Sequence, residues 1–290
     1  MPCYICYNFI IQRTFILIIQ TTLPLEKRLV MKNGILVVSF GTTYKEARKL
    51  SLEQIENTIS SAYRNFSVYK AYTSKIVQKC IHENEGFFVP DVNQALQKIS
   101  EDGIDNIYIQ PTHIIPGEEY NKILDAAGKY KDKFNIIKTA MPLLSSDKDF
   151  ELTADILNHQ YGFNNTSSDS AIILMGHGSG HSANKCYSQF QYTLNQKGFS
   201  NVFVSTVEGF PDFDSTLNIL KEHSYKNITL IPFMVTAGDH AHNDMAGNKE
   251  NSWKNRLYNL GYNVIVITQG LGGIPEIQSL YLSHLENIIG

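Results

Sequence analysis

Pro90-Asp91-Val92, followed by Leu96 and Ile99, is answered by Pro211-Asp212-Phe213, followed by Leu217 and Leu220, at an offset of 121 residues. The same offset carries Asn106-Ile107-Tyr108-Ile109 onto Asn227-Ile228-Thr229-Leu230, Pro111 onto Pro232, Gly117 onto Gly238 and Glu119 onto His240. One offset held through a helix-like stretch, a strand-like stretch and a loop reads as two half-molecules built alike, with a cleft between them. Where the copies part, the second has gained residues that bind metals.

Working outward, each half shows the same order of elements. Ile35–Phe40 and Ala171–Met175 are short apolar runs ending in glycine, the pattern of buried parallel strands. Helices are expected over about Tyr44–Ala62 and Ala183–Gln196. Further strands are expected at Ser67–Tyr72, Asn106–Gln110 and Phe134–Lys138, then at Val202–Val207, Asn227–Ile231 and Asn263–Thr268. Strands alternating with helix-length segments imply βαβ units with right-handed crossovers. The fold class is therefore α/β, two Rossmann-like halves with parallel sheets and a cleft between them. The polar stretch Asn164–Ser168 is the better linker, placing the halves at 32–163 and 164–290; a break near Ser145–Asp147 is the alternative. The last helix, about Pro275–Asn287, has Ile277, Leu280, Tyr281 and Leu285 available to pack back across the other half.

The 290 residues are enough for one large domain or two ordinary ones. An apolar share of 43% and a charged share of 18% describe a globular chain, not a disordered one. A net charge of −3 argues against a nucleic-acid partner, whose footprint is usually basic. The four cysteines, Cys3, Cys6, Cys80 and Cys186, show no disulfide framework, which suits a reducing, cytoplasmic setting. Residues 1–31 read as an extension outside the fold, with Met31 as the physiological start; a weak membrane-targeting segment is the alternative. The apolar run within Phe9–Ile19 is broken by Gln12 and Arg13 and is too short to span a bilayer, which argues against membrane association.

Open parallel sheets bind ligands beyond the carboxyl ends of their strands. In the second half three such loops carry His177, Glu208 and His240. Two imidazoles and a carboxylate suit a divalent first-row ion and leave positions open, without choosing among cobalt, nickel, iron and zinc. In isolation each residue is more often an ordinary loop residue; their joint placement at three strand ends favours a site. Across the cleft only Glu119 retains an ionisable group at the His240-equivalent position, where it could accept protons; beside it, Glu118 suits a helix N-terminus. His242 ranks below His240, His113 and His181 lie near the cleft without a role, and His82, His159, His223 and His284 read as helix-surface residues. Gly176–Gly180 lacks the ending of a phosphate loop, and there is no Gly-x-Ser-x-Gly elbow. Nothing in the chain requires ATP or an organic cofactor.

The segments Ile35-Leu-Val-Val-Ser-Phe-Gly-Thr-Thr43, Pro111-Thr-His-Ile-Ile-Pro-Gly-Glu-Glu-Tyr120, Met175-Gly-His-Gly178, Val207-Glu-Gly-Phe-Pro211 and Pro232-Phe-Met-Val-Thr-Ala-Gly-Asp-His240 resemble, in this order, the anaerobic sirohydrochlorin cobaltochelatases. These are class II chelatases with a ferrochelatase-like fold. The resemblance runs from about Ile35 to the C-terminus. It implies ATP-independent insertion of Co²⁺, with Fe²⁺ or Ni²⁺ as alternatives in vitro, into sirohydrochlorin or precorrin-2 during cobalamin synthesis. His177, Glu208 and His240 match the family's metal-holding positions, His177 and His240 with Glu119 its reacting ones. Lys45, Arg48 and Lys249 are candidates for meeting the substrate's carboxylates. A homo-oligomer is compatible with the sequence.

Overall fold

Asn33–Ser39 (β1) is buried along almost its whole length, as a strand covered on both faces must be. In the computed structural model, which describes residues 31–290, β1 lies between two parallel neighbours, Ser67–Tyr72 (β2) and Asn106–Pro111 (β3). Ile136–Thr139 (β4) extends the sheet beside β3. A second sheet repeats the plan, with Ser170–Gly176 (β5) between Val202–Thr206 (β6) and Asn227–Pro232 (β7), and Asn263–Val266 (β8) beside β7. The strand orders β2-β1-β3-β4 and β6-β5-β7-β8 are the same, so the duplication holds in topology. Asn106 and Asn227, linked by the offset, sit opposite Asn33 and Ser170 in their sheets. The N-terminal extension with Cys3 and Cys6 falls outside the described residues.

The connections are the helices Lys45–Leu50 (α1), Leu52–Ala62 (α2), Lys75–Glu85 (α3), Val92–Glu101 (α4), Glu118–Lys129 (α5), Asp147–Tyr161 (α6), Lys185–Gln196 (α7), Phe213–Lys221 (α8), Trp253–Asn259 (α9) and Pro275–Ile289 (α10). The repeated Pro-Asp dipeptides start α4 and α8. Asp91 accepts from the Gln94 backbone N–H while the Gln94 side chain accepts from Asp91, and Asp212 accepts from the Ser215 N–H. Such caps satisfy donors that a helix start leaves open, worth about 1 kcal/mol each. The single helix expected over Tyr44–Ala62 is instead two, broken at Ser51, whose φ of −130° and ψ of −71° leave the helical region.

Side chains alternate between the faces of each strand. Leu36 and Val38 of β1 pack with Leu96, Ile99 and Ile123 on one side, and Ile173 and Met175 of β5 pack with Leu217, Leu220 and Trp253. The opposite faces, through Ile35, Val37, Ile172 and Leu174, join one shared core with Phe190, Ile277, Tyr281 and Leu285. The last helix does cross to the first sheet: the Tyr281 hydroxyl donates to the Thr112 carbonyl at 2.8 Å. In the same helix His284, expected on the surface, is only 8% exposed and meets Asp149 of α6 at 2.9 Å. Periodicity marks the apolar stripe but cannot show that a second element covers the polar position beside it.

Candidate active site

Loops leaving the carboxyl ends of β1, β3, β5, β6 and β7 meet in one cleft of about 500 Å³. One wall carries Thr42, His113 and Glu119, the other His177, Glu208 and His240. The walls approach closely: a Cβ placed on Gly238 would lie 3.0 Å from the Thr42 hydroxyl.

The imidazoles of His177 and His240 stand edge to face, with ring centroids 4.7 Å apart. Nδ1 of His240 is 2.6 Å from Asp244 Oδ2, and Nδ1 of His177 is 3.0 Å from the Gly178 carbonyl. Both partners are acceptors, so each Nδ1 carries the proton and each Nε2 keeps its lone pair when the ring is neutral. Among the described residues neither Nε2 has a hydrogen-bond partner. A carboxylate on the far nitrogen is the usual support of a metal-binding histidine, fixing its orientation and raising its basicity. Asp244 was not singled out in the sequence; its signal is the four-residue spacing from His240, which puts both on one side of the π-helical turn Ala241–Met245.

Glu208 reaches the same cleft from the end of β6. Its backbone N–H donates to the His177 carbonyl at 2.8 Å, so the two loops are stitched together. Gly178, at φ +84°, makes this possible, because a Cβ there would collide with the Glu208 backbone. The Glu208 residue is exposed, and among the described residues no three His, Cys, Asp or Glu groups are gathered closely enough to hold an ion as they stand.

On the facing wall the two glutamates at the start of α5 differ. Glu118 has a side chain 72% exposed, whereas that of Glu119 is 26% exposed, with Oε1 at 2.6 Å from the Lys122 ammonium. Glu119 Oε2 is buried without a partner among the described residues. Burial alone pushes this carboxyl up, but Lys122 and the other groups around it outweigh that, and it sits below its ordinary value. His113, at the end of β3, has both ring nitrogens buried and unpartnered among the described residues. Burial lowers it to about 4, with Glu119 pulling the other way.

The remaining candidates are accounted for elsewhere. His242 stacks on Tyr44, with centroids 4.5 Å apart, and His181 accepts from the Ala183 N–H at 3.1 Å. Cys186 is packed in the core. Arg48 is withdrawn from the rim: it is 4% exposed, paired with Glu85 at 2.6 Å and set over the Phe87 ring. No helix among the described residues is long and apolar enough to cross a membrane.

The family model described as "Cobalt chelatase (CbiK)" matches residues 33–290. The sirohydrochlorin cobaltochelatase of Salmonella typhimurium is 30% identical over 259 residues, 89% of this chain and 97% of that protein. The sirohydrochlorin cobaltochelatase CbiKC of Nitratidesulfovibrio vulgaris is 28% identical, over 92% of each chain. Among solved structures, SirB from Bacillus subtilis with Fe3+ superposes with a TM-score of 0.63 at 14% identity, covering 89% of this chain and 95% of that one. CbiX, the terminal enzyme of siroheme biosynthesis in denitrifying bacteria, gives 0.56 at 13% identity, over 89% of this chain and 100% of that one. At these identities the two superpositions speak to the fold alone.

Proposed function

The chain belongs to the cobalt chelatase (CbiK) family and is a metal chelatase, and we propose that it inserts Co²⁺ into sirohydrochlorin, or precorrin-2, without consuming ATP. The reaction belongs to the anaerobic route to cobalamin and takes place in the cytoplasm. The segments 32–163 and 164–290 supply the two walls between which the macrocycle lies. The observation that carries this reading is the His177–His240 pair, 4.7 Å apart, with both Nδ1 atoms engaged and both Nε2 atoms left to a cation.

His177 and His240 hold the incoming ion through Nε2, and Glu208 turns in from the adjoining loop as the third ligand. Insertion exchanges one dication for two pyrrole protons, so the macrocycle's nitrogens replace the protein ligands as its N–H bonds break. Glu119, on the facing wall, is an acceptor for that charge, kept ionised by Lys122. The missing phosphate loop supports a reaction driven by ligand exchange alone.

The test is to incubate purified protein with sirohydrochlorin and Co²⁺, Fe²⁺ or Ni²⁺, with no nucleotide present, and to follow the absorption of the macrocycle. Many turnovers with Co²⁺ are expected. Binding that stops at one equivalent per chain would make the protein a carrier and overturn the reading.

A further inference from the structure

Two protons must leave the macrocycle for each cation that enters. While His177 and His240 hold the metal through Nε2, their lone pairs are occupied, and Nδ1 of each already carries a proton that it donates to its acceptor. A proton acceptor free at that moment has to lie elsewhere in the cleft. On the facing wall both ring nitrogens of His113 and Oε2 of Glu119 are buried with no hydrogen-bond partner among the described residues. Orphaned buried polar atoms are rare, and three of the eight such side-chain atoms among the described residues lie in this cleft. The His113 backbone is held in place, its carbonyl accepting from the Leu143 N–H at 3.0 Å.

We propose that His113 is a catalytic base of the metal-insertion step, taking a pyrrole proton directly and sharing the charge with Glu119. The pyrrole N–H bond breaks, its electron pair becomes the new nitrogen–cobalt bond, and the proton forms an N–H bond on the His113 ring. The resulting imidazolium is balanced by the Glu119 carboxylate, and the proton then leaves by way of Glu119 and solvent, which frees the ring to take the second pyrrole proton in the same way as the second nitrogen–cobalt bond forms. Burial keeps His113 neutral beforehand, so its lone pair is available and it does not repel the entering dication. Coordination to the metal makes the pyrrole N–H strongly acidic, which lets a weakly basic imidazole suffice.

The inference rests on the chelatase reading, and the experiment separates the two. The full chain and the variants His113→Gln and His113→Asn, each mimicking one ring nitrogen but unable to take a proton, are compared with sirohydrochlorin and Co²⁺. Circular dichroism shows which variants are folded, and calorimetry measures Co²⁺ affinity. A fall in kcat of about 100-fold is expected, with KM and Co²⁺ affinity within about twofold of the parent. Added imidazole should restore part of the rate to His113→Ala. A folded variant whose kcat stays within about threefold of the parent overturns the assignment, as does a parallel loss of Co²⁺ affinity, which would make His113 a ligand. If the unaltered protein fails to turn over, the chelatase reading falls and this one with it.

Discussion

His240 and Asp244 are joined at 2.6 Å across one turn, Nδ1 to Oδ2, so the carboxylate settles which nitrogen of His240 is open to the cleft. Replacing Asp244 by Ala should leave the fold intact but weaken Co²⁺ binding about 10- to 100-fold. Calorimetric titration with Co²⁺ alone reads this directly. Unchanged affinity would remove Asp244 from the metal site.

Gly178→Ala forces a side chain into a left-handed backbone, φ +84°, and against the Glu208 backbone. Relief requires the His177 and Glu208 loops to separate. A loss of about 2 kcal/mol in urea unfolding is expected, together with weaker Co²⁺ binding. Gly180→Ala, where nothing lies within 4 Å, is the matched control and should change neither.

Acid should destabilise the protein through two groups on the same wall. His113 drops from its ordinary 6.5 to about 4 in the folded protein. Between those values the unfolded chain binds the extra proton, so stability falls as pH is lowered through this window, by about 3 kcal/mol in all. Glu119 is also depressed when folded, so its contribution is present at neutral pH and is lost as pH falls through its lowered value. Urea midpoints measured from pH 7 to pH 4 should decline more shallowly in His113→Gln than in the parent. Parallel curves would show that His113 does not titrate as its burial requires.

His284 ties the last helix to the rest of the fold, with Nδ1 at 3.0 Å from the Met141 carbonyl and Nε2 at 2.9 Å from Asp149. Its removal leaves a buried carboxylate facing a void. His284→Ala should lose about 3 kcal/mol of stability while Co²⁺ affinity in the folded fraction stays at the parent value. Thermal melts and metal titration separate these effects. An unaltered melting temperature would contradict the structural role.

The repeat, the strand–helix alternation and the strand-end positions of His177, Glu208 and His240 were legible because each is written in contiguous residues. The Pro-Asp starts of α4 and α8 belong to the same class: a cap is made by residues three apart. Arg48 misled as a rim cation, since its pairing with Glu85 joins α1 to the far end of α3. His284 misled because its partner Asp149 lies on another helix. Glu118 and Glu119 are neighbours with the same side chain, both within reach of Lys122, and only the deeper burial of Glu119 with its covered Oε2 distinguishes them.

Local chemistry of the chain thus determined the α/β class, the doubling and the loops that carry reactive groups, because hydrophobic period and capping act over a few residues. Only the tertiary structure decided which nitrogen of each imidazole is open and which acid turns inward. It also decided that His113 stands in the cleft without a side-chain partner among the described residues. Those outcomes depend on distances between groups remote in sequence, and a proton or a lone pair is directed by whatever lies within about 3 Å of it.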